Sequence, residues 1–191
     1  MNLSSEIEIR RMGDADVPKV PDFFEGLSEE SRHFYHPYDF NQDAVSLTAK
    51  EIQDDGCIHI GAFHEEKMVG HVWCRGGGKG AYPYLGIGIV DSFHDRGLGT
   101  SLMQRIEEVA RERGEQGIEL TCYPENHRAL RVYAKQKYRL VGKNSSGTNF
   151  RMVREFADEE SPFPIPGASA STKNGRAACR GSWESPWPPR S

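Results

Sequence analysis

Tyr82-Pro83-Tyr84-Leu85-Gly86-Ile87-Gly88-Ile89-Val90 leads into Phe93-His94-Asp95-Arg96-Gly97-Leu98-Gly99-Thr100, after which apolar residues recur at Leu102, Ile106 and Val109. The first segment reads as a strand. The spacing from Leu98 onward predicts an amphipathic helix, with Met103 and Ala110 beside its apolar stripe and Arg111-Glu112-Arg113-Gly114 at its end. A helix start leaves backbone N–H groups unpaired and carries the positive end of the dipole, so it draws phosphate oxygens. Gly97 and Gly99 remove side chains that would hold a diphosphate off the backbone, and Arg96 adds a cation. The same glycines also describe a softened turn before an ordinary helix. A Rossmann-type dinucleotide site is disfavoured, because Thr100, Ser101 and Leu102 follow Gly99 where a third glycine is required. A Walker loop fails for want of Gly-Lys-Ser/Thr.

Upstream, Ile7 to Arg11 predicts a first strand, with Ile7 and Ile9 on one face. Asp14 or Asp16 can cap a helix whose start Pro18 and Pro21 delay. Phe23, Phe24, Leu27, Phe34 and Tyr35 supply the apolar face of one or two short helices. Ser28 caps the second, with Glu29 and Glu30 at the positive end of its dipole. A further helix is expected from about Asp43 to Gln53. Cys57 to Phe63 alternates apolar and polar, Glu65-Glu66-Lys67 turns the chain, and Met68 to Cys74 pairs back as a hairpin. Gly76-Gly77-Gly78-Lys79-Gly80 is a loose connection to Tyr82.

Downstream, Ile118 to Tyr123 predicts a strand and Asn126 to about Lys137 a helix carrying Ala129, Leu130 and Tyr133. Tyr138 to Val141 and Phe150 to Phe156 close the domain as paired strands. The order is β, helices, β-β-β, α, β, α, β-β without internal repeat, which makes the class α/β. A single domain is expected over residues 1–157. After Ala157, prolines at 162, 164, 166, 186, 188 and 189 among Gly, Ser and Ala predict a disordered tail over 158–191. Trp183 and Trp187 in that tail read either as a short linear binding motif or as sporadic aromatics.

Composition narrows the function classes. With 24 Lys and Arg against 28 Asp and Glu, the formal net charge is -4, which argues against nucleic acid as a partner and mildly suits a cationic substrate. Cys57, Cys74, Cys122 and Cys179 show no metal-type spacing, no Cys/His pattern fits zinc, and no serine has a triad context. The opening Met1-Asn2-Leu3-Ser4-Ser5-Glu6 has neither a basic start nor an apolar run, and no segment approaches membrane-spanning length. The expectation is a reduced, cytoplasmic setting with no metal and no membrane.

The glycine loop resembles the signature Gln/Arg-x-x-Gly-x-Gly/Ala of the GCN5-related N-acetyltransferase family, here His94-Asp95-Arg96-Gly97-Leu98-Gly99, with His94 in place of Gln or Arg. Asn126-His127-Arg128-Ala129-Leu130-Arg131-Val132-Tyr133 resembles the family's Asn-x-x-Ala-x-x-x-Tyr. Lys137-Tyr138 replaces the Gly-Phe that usually follows. The resemblance implies the acyl-CoA N-acyltransferase fold, a mixed, mostly antiparallel central sheet flanked by helices. It implies acetyl-CoA as cosubstrate, with the pyrophosphate at His94, Asp95, Arg96, Gly97, Leu98, Gly99 and Thr100. The pantetheine arm would run along Ile87, Gly88 and Ile89 and be reached by Asn126. Gly86 and Gly88 would leave room for that arm, or mark a bulge.

The resemblance further implies direct attack of an amine, on a small molecule or protein, upon the thioester. Tyr133 would protonate the departing sulfur, a role that suits a hydroxyl protonated at neutral pH. Some relatives carry a glutamate at the position of Thr121; Glu119 on the same strand face is the expected substitute base, with Glu125 second. Arg32, Tyr35 and Tyr38 are expected at the acceptor pocket. A homodimer is compatible with the resemblance. The competing reading is a non-catalytic acyl-CoA-binding module on the same fold, which would have no need of Tyr133.

Overall fold

The computed structural model describes residues 7–35 and 43–156. Tyr38 and the segment 158–191, with its expected disorder and its tryptophans, lie outside the described residues. Two antiparallel blocks make up the sheet. In the first, β1 (Ile7–Arg11), β2 (Ile58–His64), β3 (Lys67–Arg75) and β4 (Tyr84–Ile89) pair in succession. In the second, β5 (Gly117–Cys122) and β6 (Arg139–Lys143) both pair with β7 (Phe150–Glu155). The seven-stranded order is β1-β2-β3-β4-β5-β7-β6, the mixed and mostly antiparallel sheet that was expected.

β4 and β5 are the parallel neighbours, and Tyr84–Glu119 is the register pair that joins them among the described residues. Gln116 N donates to Ala81 O and Glu119 N to Pro83 O, each over 3.0 Å. All of this lacing lies at the start of the two strands. Beyond it, a hydrogen bond of 2.5 Å joins the Tyr84 hydroxyl and Thr121 Oγ1, and among the described residues no further register pair joins the two strands.

Parallel strands need a crossover, and α4 (Leu98–Glu112) provides it. Leu98, Leu102, Met103, Ile106, Val109 and Ala110 are buried along one face of α4, as their spacing predicts. Each large apolar side chain so buried contributes about 1.5–3 kcal/mol. They pack with Ile58, Ile60, Val72, Leu85, Ile118 and Leu120, and α5 (His127–Lys135) joins the same layer. The opposite face is covered by α1 (Val20–Glu25), α2 (Glu29–Phe34) and α3 (Asp43–Ile52), through Val20, Phe23, Phe24, Leu27, Tyr35 and Ala44 against Phe63, Met68 and Trp73. Asp14–Lys19 is a 3-10 turn holding Pro18, and Pro21 sits in the first turn of α1, so the proline-delayed helix start is as read.

Two expectations are corrected here. Cys57 to Phe63 was read as alternating apolar and polar; β2 is nevertheless buried on both faces, His59 included, because helices cover both sides of the sheet. At Gly86 and Gly88 the place of a Cβ is taken by aromatic rings. A Cβ on Gly86 would lie 2.3 Å from the Trp73 ring, and one on Gly88 would lie 2.5 Å from the Tyr35 ring. The two glycines let these aromatic rings approach the strand backbone closely.

Candidate active site

Where β4 and β5 part, a cavity of about 150 Å³ opens. Its walls are the end of β4, the loop before α4, one side of α5 and the α1–α2 corner, so four separate stretches of sequence converge on it. Asp91 fixes that corner: its carboxylate accepts from Ser28 N at 2.9 Å, Ser28 Oγ at 2.7 Å and Ser31 Oγ at 3.0 Å. Ser28 also caps α2, as expected, by accepting from Ser31 N. The carboxylate thereby holds Phe34 and Tyr35 against the mouth of the cleft. Across it, Tyr123 packs its ring 4.9 Å from that of His33 and 5.6 Å from that of Phe34.

Gly97 caps α4 in the left-handed region at φ 84, and Asp95 shares that region at φ 56. No side chain caps the helix, so the first-turn N–H groups of Leu98, Gly99 and Thr100 have no intrahelical acceptor. A Cβ on Gly97 would meet nothing within 4 Å, so the space over these N–H groups is open. That is a cradle suited to an anion. Arg128, whose part in the site the sequence reading missed, lines the cavity and pairs with Asp95 at 3.5 Å.

Of the expected cosubstrate residues, Ile87, Gly88, Ile89, His94, Asp95, Gly97, Gly99, Thr100 and Asn126 line the cavity. Leu98 instead turns into the core, and Arg96 is exposed, with its guanidinium 5.5 Å from the centre of the Phe93 ring. His94 does not replace Gln or Arg as an outward contact: its Nε2–H donates to Ile89 O at 2.9 Å and ties the loop back to β4. Asn126 caps α5, accepting from Ala129 N at 3.1 Å, and lines the cavity at the same time.

Tyr133 lines the cavity and is 6% exposed. Burial, with Cys122 and Tyr84 nearby, raises its hydroxyl above the ordinary tyrosine range, so it stays protonated at neutral pH. Burial also pushes the adjacent Cys122 thiol up to about 12, which keeps it from acting as a nucleophile.

The acceptor-side expectations divide. Tyr35 lines the cavity. Arg32 does not: it donates to Leu27 O at 3.0 Å and Glu25 O at 3.2 Å, closing the end of α1. Glu119 is not brought to the cavity either. Arg151 on β7, which pairs in register with Thr121 two residues along from Glu119, donates to both carboxylate oxygens at 2.5 and 2.7 Å. Strand pairing decides this, and it lies outside what one segment can reveal. Among the described residues, no group of three or more His, Cys, Asp or Glu could hold a metal ion. No helix of the described residues is long and apolar enough to cross a membrane.

Comparison with known proteins agrees with this geometry. The family model "Acetyltransferase (GNAT) family" matches residues 20–138. Among curated proteins, none matches the chain. Solved structures share the fold. The GNAT domain of S. lividans PAT is 20% identical at a TM-score of 0.69, covering 78% of this chain and 90% of its own. PaiA N-acetyltransferase from Thermoplasma acidophilum, in complex with coenzyme A, is 14% identical at 0.64, covering 78% and 99%. Spermidine N-acetyltransferase from Vibrio cholerae, in complex with CoA and spermine, is 17% identical at 0.65, covering 80% and 97%.

Proposed function

The chain belongs to the acetyltransferase (GNAT) family, and from that premise we propose that it moves an acetyl group from acetyl-CoA to a primary amine of a small molecule or protein, by direct attack in a ternary complex. The observation that carries this reading is the convergence of the uncapped start of α4 and of Tyr133 on one cavity, where β4 and β5 part. In the proposed complex the first-turn N–H groups and Gly97 take the pyrophosphate, with Arg128 adding positive charge. Ile87, Gly88 and Ile89 run beside the pantetheine arm.

The amine enters past Phe34 and Tyr35. The neutral amine nitrogen bonds to the acetyl carbon, the carbon–sulfur bond breaks, Tyr133 gives its proton to the sulfur, and the proton that the nitrogen sheds on becoming an amide passes to water, from which Tyr133 is reprotonated. The amine must lose a proton before it attacks; Glu119, held by Arg151, is not assigned that task. A primary amine is also the substrate named for the Vibrio cholerae neighbour. The transferring domain is taken as residues 1–157, and a reduced cytoplasmic setting suits its free thiols at Cys57, Cys74 and Cys122.

The test is release of free CoA thiol from acetyl-CoA across a panel of amines and peptides. Turnover with at least one amine is expected. Tight acetyl-CoA binding with no turnover on any acceptor would instead establish a binding module.

A further inference from the structure

Where β4 and β5 begin to part, the narrow end of the gap is filled from both faces of the sheet. On the face that carries α1, α2 and α3, the Tyr84 hydroxyl reaches from β4 to within 2.5 Å of Thr121 Oγ1 on β5. The Tyr84 ring stands 6.1 Å from that of Trp73, which lies over Gly86. On the face that carries α4, Leu85 is 2% exposed and Leu120 0%, and both pack into the core under that helix. Tyr84 is the β4 partner of Glu119, so the same register carried two residues further sets Thr121 level with Gly86. Ile87, the next residue, is the first of β4 to line the cavity. The Tyr84–Thr121 bond therefore stands at the level where the cavity ends.

Which part of the donor meets this end follows from the direction of its arm. The inference rests on the proposed transfer, with the pyrophosphate on the uncapped start of α4 and the arm beside Ile89, Gly88 and Ile87. Gly97 comes after the C-terminal end of β4, so an arm that leaves it travels back along the strand. Its sulfur comes last, and the acyl group lies beyond the sulfur. The Tyr133 hydroxyl, deeply buried, also feels Cys122 and Tyr84, so the proposed acid stands at the same end. An acetyl group extends one methyl past its carbonyl. Each further methylene has to enter space already held by packed side chains. Widening the gap to make room would draw Tyr84 and Thr121 apart and break their bond.

We propose that the hydrogen-bonded pair Tyr84 and Thr121 is the stop that sets acyl length in this chain, admitting acetyl and turning away butyryl and longer groups. Burial raises the Tyr84 hydroxyl above the ordinary tyrosine range, so it keeps its proton and the bond holds through neutral pH. Thr121 occupies the strand position at which some relatives carry a glutamate. A threonine there takes no proton at neutral pH, and its use is to bound the acyl group. The stop acts on the donor and leaves the acceptor amine unselected.

Acetyl-CoA and butyryl-CoA, compared as donors to one amine with the full chain, test this. In the wild type, kcat/KM for butyryl-CoA is expected to be at least about tenfold below that for acetyl-CoA, the penalty of methylenes without room. Thr121→Ala removes bulk and bond together and is expected to raise the butyryl-to-acetyl ratio about tenfold. Tyr84→Phe keeps the ring and cuts only the bond, and is expected to raise the ratio about threefold. A wild type that uses both donors equally, or an unchanged ratio in folded Thr121→Ala, overturns the inference and leaves the transferase reading standing. Should Thr121→Ala fail to fold, an unchanged ratio in Tyr84→Phe overturns it instead. If the wild type acylates no amine, calorimetry separates the two readings. Acetyl-CoA bound at least about tenfold more tightly than butyryl-CoA keeps the length selection and removes the transfer; equal affinities overturn both.

Discussion

The backbone N–H of Tyr138 donates to the carbonyl of Tyr133 over 3.0 Å, and their ring centroids lie 5.8 Å apart. Together with Lys137 N donating to Ala134 O at 3.1 Å, this is a Schellman closure of α5, complete with its apolar contact. The proposed proton donor therefore sits in a helix turn locked from both backbone and side chain.

Lys137 occupies the left-handed position of that closure at φ 61, where glycine is the favoured residue. Lys137→Gly should stabilise the fold by about 0.5–1 kcal/mol, the relief of left-handed strain less the added freedom of the unfolded chain. A thermal melt should show a rise of roughly 2–4 °C. A lower midpoint would mean that the Lys137 side chain contributes contacts worth more than the strain.

For the chemistry, Tyr133→Phe is expected to lower kcat by about 10²-fold or more. Acetyl-CoA binding, read by calorimetry, should stay within about twofold, because the lost proton acts in the transition state and not in the ground state. Equal turnover in the variant would remove Tyr133 from the acid role.

Steric room separates Gly86, Gly88 and Gly99. Gly88→Ala sets a Cβ 2.5 Å from the Tyr35 ring and should displace it, costing about 1–3 kcal/mol and raising the KM for the amine. Gly86→Ala meets Trp73 at 2.3 Å and should destabilise comparably. Gly99→Ala meets Ile89 Cδ1 at 3.4 Å, an ordinary contact, and should fold normally. Denaturant midpoints and amine kinetics on the three variants check the ordering.

The alkaline limb of stability has a defined sign. Burial raises both Tyr133 and Tyr138 above the ordinary tyrosine range in the folded state. Above about pH 10 the unfolded chain therefore loses these protons first, binds fewer than the native state, and stability falls as pH rises. Below that pH both states hold the protons and the contribution is constant. Among the described residues the Tyr138 hydroxyl is buried without a partner. Tyr138→Phe should thus be neutral or stabilising by up to about 1 kcal/mol at pH 7 and should flatten the alkaline fall. Urea midpoints between pH 7 and pH 11 measure both effects.

What one sequence can disclose follows the range of the interactions. Ser28 and Asn126 cap their helices by bonds that span three residues, and both were readable. The α4 stripe and the glycine loop were readable for the same reason. Glu119 and Arg151 meet across paired strands, and Tyr35 meets His71 across two layers, so nothing near either residue in the chain announces its partner. Gly88 was recognised as unusual but read as room for a ligand arm or as a bulge, because the ring that occupies its space, that of Tyr35, comes from a distant part of the chain. The His94 departure from the family pattern was visible; its bond to Ile89 O required the fold.

The single register pair between β4 and β5 has a consequence for how the molecule avoids its own kind. Unlaced strand lips are ordinarily an invitation to another chain, and proteins must guard them. Here the lips face inward, with α2 and α5 standing on either side of the gap. Another polypeptide strand would have to pass between these two helices to reach the unpaired backbone.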